Sequence, residues 1–169
     1  MKKLTVALAL LLAMLSVFVL GSCAEPDVKT KVNIKFVVGD QELYAGDVTV
    51  KSSPDSTTGP AVIDAVKTLM DSSDYVIELD SKTNALAKFG MYYETTYDGV
   101  IYMWVLTVNE KDASSTETYL KEGDQIVYTF VMNTPDENGS YKDTQPVDPN
   151  NNIFLDGLAG NDDPSSAAE

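Results

Sequence analysis

Apolar and polar residues change their spacing several times along the chain, and each change predicts an element. From Lys31, "KVNIKFVV" alternates Val32, Ile34, Phe36 and Val38 on one face, the period of a half-buried strand. "GDQ" supplies a turn, and "ELYAGDVTVK" reads as the returning strand of a hairpin. After the loop "SSPDSTTG", Pro60 stands where a first helical turn accepts it, because its missing N–H would be unpaired there. "AVIDAVKTLMDSS" then sets Val62, Val66, Leu69 and Met70 on one side of a helix, with Ala65 between them. "YVIELD" predicts a strand or an irregular piece. "KFGMYYETTY", "GVIYMWVLTVN" and "DQIVYTFVMN" predict further strands from their β-branched and aromatic content. A hairpin, one helix and then several strands is the order of an α+β fold, with one helix packed on a mixed or antiparallel sheet.

Both ends break the pattern. "MKKLTVALALLLAMLSVFVL" opens with two lysines and stays apolar to Leu20, the layout of a secretory signal peptide. The stretch from Leu4 to Leu20 is slightly short of the roughly 20 apolar residues that span a bilayer. Leu20-Gly21-Ser22-Cys23 resembles the bacterial lipobox, whose cysteine is lipidated on sulfur and becomes the mature N-terminus. One acyl chain holds a protein only marginally, and stable anchoring takes two or more; a diacylglyceryl cysteine supplies them. Cys23 is the single cysteine, so it is expected to be an anchor in membrane lipid, and no disulfide can form within the chain. The expected location is extracytoplasmic, lipid-anchored to the bacterial cell membrane.

The expected organisation is therefore a signal peptide over residues 1–22, a polar tether over 23–30, and a domain over 31–133. A Pro/Asn/Asp-rich, partly disordered tail over 134–169 completes it. Within that tail "IFLDGLAG" is the apolar exception.

Charge narrows the functional classes. The chain carries 12 basic against 26 acidic residues, a net charge of −14, with no histidine. All the basic residues are lysine, and losing Lys2 and Lys3 with the leader makes the balance more negative still. Nucleic-acid binding rests on neutralising phosphates with Lys and Arg, so no nucleic-acid partner is expected. Ser-His-Asp triads, Cys-His dyads and His-liganded zinc are unavailable, as are arginine clamps for carboxylates. No pair among the acidic residues is marked out for glycoside hydrolysis, and no phosphate loop is present. Asp148, Asn150 and Asn152 alternate like the start of a calcium loop, but Ile153 and Ala159 stand where glycine and glutamate are required. Neither enzyme chemistry, a metal nor a cofactor is expected.

Three segments carry a family resemblance over about Lys31 to Val131. "PAVIDAVKTL" follows a hairpin, "FGMYY" precedes "YMWVLTVNE", and "LKEGDQIVYTF" closes the unit. The arrangement resembles the family of extracellular domains related to the carboxy-terminal domain of transcobalamin and intrinsic factor. Bacterial relatives, often on lipoproteins, are catalogued as a domain of unknown function with a β-grasp-like, ligand-binding fold. Its most specific parts are Trp104 with Val108-Asn109, and Gly123-Asp124 before the last strand. The family's usual glycine after the asparagine is Glu110 here, and Glu110 to Tyr119 is longer than a minimal hairpin. The resemblance implies cobalamin or another corrinoid as the first ligand to test, and the lipid would keep a captured ligand near a membrane transporter or surface protein. In transcobalamin and intrinsic factor this domain covers the ligand against a larger helical domain, for which this chain is too short.

Tyr92, Tyr93, Tyr97, Tyr102 and Trp104 fall within thirteen positions and, with Asn109, are the candidate ligand-binding residues. Amphipathic aromatics favour partner surfaces, yet tyrosine also suits a half-buried strand. Trp104 reads more readily as core than as ligand lining, and Asn109 more readily as a turn residue. Two functions follow: capture of a small ligand such as a corrinoid, or a protein- or polymer-interaction module that adheres at the cell surface.

Overall fold

The computed structural model describes residues 29–51, 58–135 and 141–150. The leader, Cys23 and "IFLDGLAG" lie outside these residues. No helix among the described residues is long and apolar enough to cross a membrane.

The first hairpin forms where the alternation places it, as β1 (Lys29–Val38) and β2 (Gln41–Lys51), paired antiparallel. β1 begins two residues earlier than the domain boundary expected from composition. Val32, Ile34, Phe36 and Val38 are all buried. Gly39, at φ 58°, starts the two-residue turn between Val38 and Gln41, a conformation that glycine adopts without the Cβ penalty.

The helix α1 spans Val62–Ser72 and buries Val62, Ala65, Val66 and Leu69. Met70 differs from expectation and is exposed, while Ile63 is buried in its place. The cause lies at the helix start: Val62 N and Ile63 N donate to the carbonyls of Thr118 and Ser115. The loop carrying those carbonyls thus covers the first turn. Pro60 also differs, sitting before the N-cap residue Ala61 rather than inside the first turn. Its carbonyl accepts from Leu120 N, and Asp64 accepts from Ala61 N at 2.8 Å.

Eight further strands follow among the described residues. Three of them, β3 (Ile77–Leu79), β4 (Leu86–Phe89) and β5 (Tyr92–Tyr93), make a small antiparallel sheet. The others are β6 (Thr95–Tyr97), β7 (Val100–Val108), β8 (Lys111–Asp112), β9 (Gln125–Pro135) and β10 (Tyr141–Pro146). They join β1 and β2 in a seven-stranded sheet of order β2-β1-β9-β7-β6. β1 and β9 are parallel and the remaining pairs antiparallel, so the sheet is mixed and the fold α+β.

Tyr141–Pro146 belongs to the segment that composition assigns to the tail, yet it pairs along β9 just beyond the end of β1. Val147 follows it into the core, fully buried. A Cβ built on Gly39 would lie 2.6 Å from the Val147 carbonyl oxygen, so glycine there also permits a close approach of two backbones.

The core lies between the inner face of the large sheet, the helix and the small sheet. Phe36 is its centre, stacked on Phe89 of the small sheet at 3.9 Å between ring centroids and on Tyr128 of β9 at 5.1 Å. Trp104 packs against Phe130 at 4.9 Å.

Candidate functional site

Between residues of the small sheet and the inner face of the large one, a cleft of about 350 Å³ opens. Its floor is set by strand alternation. Trp104 and Leu106 point inward from β7, and Tyr128 points inward from β9, opposite Leu106 in the register. Leu86 of β4 and Ala85 form one wall, with Thr83 at its end. Ala113, Ser114 and Ser115 form the other.

Local hydrogen bonds hold both walls. Asp80 accepts from Lys82 N, Thr83 N and the Thr83 hydroxyl, at 3.0, 2.7 and 2.8 Å. These bonds, led by the Thr83 amide, hold the Asp80 carboxyl below the usual aspartate range. Opposite, Ser114 N donates to the Thr118 hydroxyl at 3.0 Å, and Thr118 N returns a bond to the Ser114 carbonyl at 3.2 Å. The Ser115 and Thr118 carbonyls tie this wall to the helix N-terminus. The cleft is thus pre-formed, as small-molecule sites usually are.

One group in the floor is unusual. The Tyr128 hydroxyl is buried without a hydrogen-bond partner, a position that costs about 1–3 kcal/mol when nothing compensates. Desolvation pushes its phenol far above the ordinary tyrosine range, so it stays a neutral donor and acceptor. None of the residues lining the cleft is charged. A second hollow between β2 and α1 is shallower and charged, bordered by Lys51, Asp64, Lys67 and Asp71.

The six residues singled out in the sequence do not form one surface. Tyr92, Tyr102 and Trp104 are core residues, and Trp104 Nε1 donates to the Tyr92 carbonyl at 3.4 Å. Tyr93 and Tyr97 are exposed, at 43% and 58% of their surface. Of the set, Trp104 alone reaches the cleft. Asn109 sits in the turn from β7 to β8, with its side-chain nitrogen on Asp124 and its oxygen accepting from Gln125 N. The turn is a two-residue one, with Asn109 at φ 52° and Glu110 at φ 65°, and Gly123 is at φ 84°.

Leu86, Ser114, Ser115 and Tyr128 were not marked by sequence. The available signal was the position of Tyr128. It falls on the inward side of "QIVYTF", between Ile126 and Phe130, where an apolar residue needs no partner and a phenol does.

Among the described residues, no group of three or more acidic or thiol side chains could hold a metal ion. Compared with known protein families and with curated proteins, the chain matches none.

Proposed function

We propose that this chain is an extracytoplasmic, lipid-anchored binding protein whose ligand enters the cleft between the two sheets. The observation that carries the reading is a pre-formed cleft between the two sheets whose lining bears no charge. Capture without chemistry suits the lining, which offers hydroxyls and apolar side chains. The strand order, with parallel β1 and β9 at the centre and the helix crossing after the first hairpin, supports reading the fold as β-grasp. That reading keeps a corrinoid as the first ligand to test. The cleft is near the lower limit of small-molecule sites, roughly 300–1,000 Å³. A corrin ring would therefore rest at the mouth with one peripheral group inserted. Lipid attachment through Cys23 would hold the captured molecule beside a membrane transporter.

Calorimetric titration with cobinamide and cobalamin tests this. Saturable binding at micromolar ligand, weakened by Ala113→Phe in the cleft wall, supports it. Binding that ignores Ala113→Phe, or none at high micromolar ligand, refutes it.

The interaction-module reading has its own observation. On the outer face of the large sheet, Val37, Val105, Val127 and Met103 from three adjacent strands are all partly exposed. Lys35, Thr107 and Thr129 lie among them in the register, and a mixed face with apolar positions of this kind suits a protein or surface polymer. Protection of these residues from hydrogen exchange by a bound partner, with the cleft unaffected, would favour that reading.

A further inference from the structure

The outer edge of β2 presents backbone groups with no partner. β2 ends the strand order of the large sheet, so among the described strands only β1 pairs with it. Lys31, opposite Thr49 in that register, turns both of its backbone groups away from β2. Its N–H donates to Glu122 Oε2 at 2.7 Å, and its carbonyl accepts from Gly123 N at 2.9 Å. Lys31 and Thr49 are therefore a non-hydrogen-bonded pair of the antiparallel ladder. The N–H and carbonyl of Thr49 point to the free edge, where they meet no partner among the described residues. Asn33 and Asp47 repeat the arrangement, since Asn33 N donates to Asp124 O at 2.9 Å. Such an edge is a template for another extended chain.

The charged hollow between β2 and α1 lies against this edge. Val48 and Val50 are buried in the core, so alternation turns Thr49 and Lys51 to the opposite face. Those two residues border a space that also touches the helix, and the free edge of the strand is where both can reach it. The space measures about 320 Å³. On the helix side Asp64, Lys67, Thr68 and Asp71 border it, at the i, i+3, i+4, i+7 spacing of a single face. The stripe reads acid, base, acid over about 10 Å, at roughly 1.5 Å of rise per residue. Asp64 already accepts from Ala61 N, but a carboxylate retains further acceptor sites. An extended chain paired with Thr49 would set side chains on one face about 7 Å apart. Three successive positions reading base, acid, base complement the stripe, and this pattern is the same in either strand direction.

We infer that this groove binds an extended, basic peptide segment of a partner protein. The segment adds a strand to β2 and sets two basic side chains, four positions apart, on Asp64 and Asp71, with an acidic one between them on Lys67. The chain's net charge of −14 attracts a basic partner and opposes a second copy in the same groove. The inference stands apart from the cleft, which shares no lining residue with the groove.

Two capped peptides test it on the full ¹⁵N-labelled chain held in detergent micelles: Thr-Lys-Val-Glu-Val-Lys-Thr and its charge-reversed counterpart, Thr-Glu-Val-Lys-Val-Glu-Thr. The first is expected to shift the amides of Asp47 and Thr49 saturably. It should also slow hydrogen exchange at Thr49, because strand pairing takes that N–H out of water. The reversed peptide should bind about tenfold more weakly at low salt, with the gap closing as salt is added. Asp71 is exposed, and Asp71→Lys should narrow or invert the preference without unfolding the domain.

Equal affinity for the two peptides at low salt overturns the inference, as does the absence of any shift at millimolar peptide. Binding that leaves exchange at Thr49 unchanged overturns the strand pairing and the inference with it. Slowed exchange at Thr49 on concentrating the chain alone would make a second copy the occupant, which also overturns it. The peptide comparison needs no variant, so it decides the matter even if Asp71→Lys disturbs the helix.

Discussion

Asn109 and Asp124, fifteen positions apart, bind one another across the end of the β7–β9 pair, with Asn109 Nδ2 donating to Asp124 Oδ1 at 2.8 Å. The other ends of both side chains are also occupied. Asn109 Oδ1 accepts from Gln125 N at 3.0 Å, and Asp124 Oδ2 accepts from Lys121 N at 2.8 Å. Two of the residues that carried the family resemblance therefore lock the hairpin end of β7 to the turn that starts β9. Asn109→Ala should cost about 2–3 kcal/mol, from two lost hydrogen bonds and a Cβ-bearing residue without local bonding at positive φ. Asn109→Gly loses the same bonds but suits the backbone, and should cost about 1 kcal/mol less. Urea denaturation of both variants checks the order; equal losses would mean that the backbone conformation contributes nothing.

Glu110 occupies the left-handed region next to Asn109, where a non-glycine residue is strained by about 1–2 kcal/mol. Glu110→Gly relieves the strain, offset in part by greater freedom of the unfolded chain. A net gain of about 0.5–1 kcal/mol is expected in thermal denaturation. A loss would show that the glutamate side chain makes a compensating interaction.

Tyr92 and Tyr97 lie five positions apart in the aromatic run but in different environments. Tyr92 is buried against Phe130 with ring centroids 5.5 Å apart, while Tyr97 stands mostly in solvent. Tyr92→Ala should cost roughly 3–5 kcal/mol, as large aromatic truncations in cores do. Tyr97→Ala should stay within about 0.5 kcal/mol of the parent. Comparable losses in the two variants would contradict the division of the cluster.

Glu94 gives the fold a pH dependence of definite sign. Its carboxylate accepts from Trp104 N at 3.4 Å, on the outer edge of β7 between the segments paired with β6 and β8. Burial raises its pKa despite that bond. A carboxyl with a raised folded-state pKa adds stability fully present below its unfolded value, and that stability is lost as pH rises through the folded value. Asp80 and Asp47 are shifted the opposite way, so their contributions are present above the unfolded aspartate pKa and disappear as pH falls. Glu94→Gln should therefore gain in melting temperature over the parent as pH rises from 3 to 7, with no gain at the acid end. A gain that is flat across this range would place the effect elsewhere.

The secondary structure was largely legible because strand alternation reports directly on burial. Val32, Ile34, Phe36 and Val38 announce an inward face, and all four are buried. Met70 misled because helical periodicity cannot show that a distant loop at Ser115 and Thr118 covers Ile63 instead. β10 was illegible for a similar reason. "YKDTQP" has no apolar alternation, and it forms because β9 outruns β1 and offers unpaired backbone. The aromatic run was visible, but its division was not. Tyr92 and Tyr93 are adjacent on a strand and so face opposite ways, yet nothing in the sequence says which face the core claims. The cleft could not be read at all, because Leu86, Ser114 and Tyr128 come from the small sheet, a loop and the large sheet and meet only in the tertiary fold.

The most direct measurement of the central proposal is a titration of ¹⁵N-labelled chain with cobinamide, followed at the Trp104 indole and the backbone amides of Ser114 and Ser115. The expected result is a saturable shift at all three sites with one shared affinity. Shifts confined to the outer face around Val105 and Val127, or to Tyr93 and Tyr97, would contradict capture in the cleft and move the function to surface interaction.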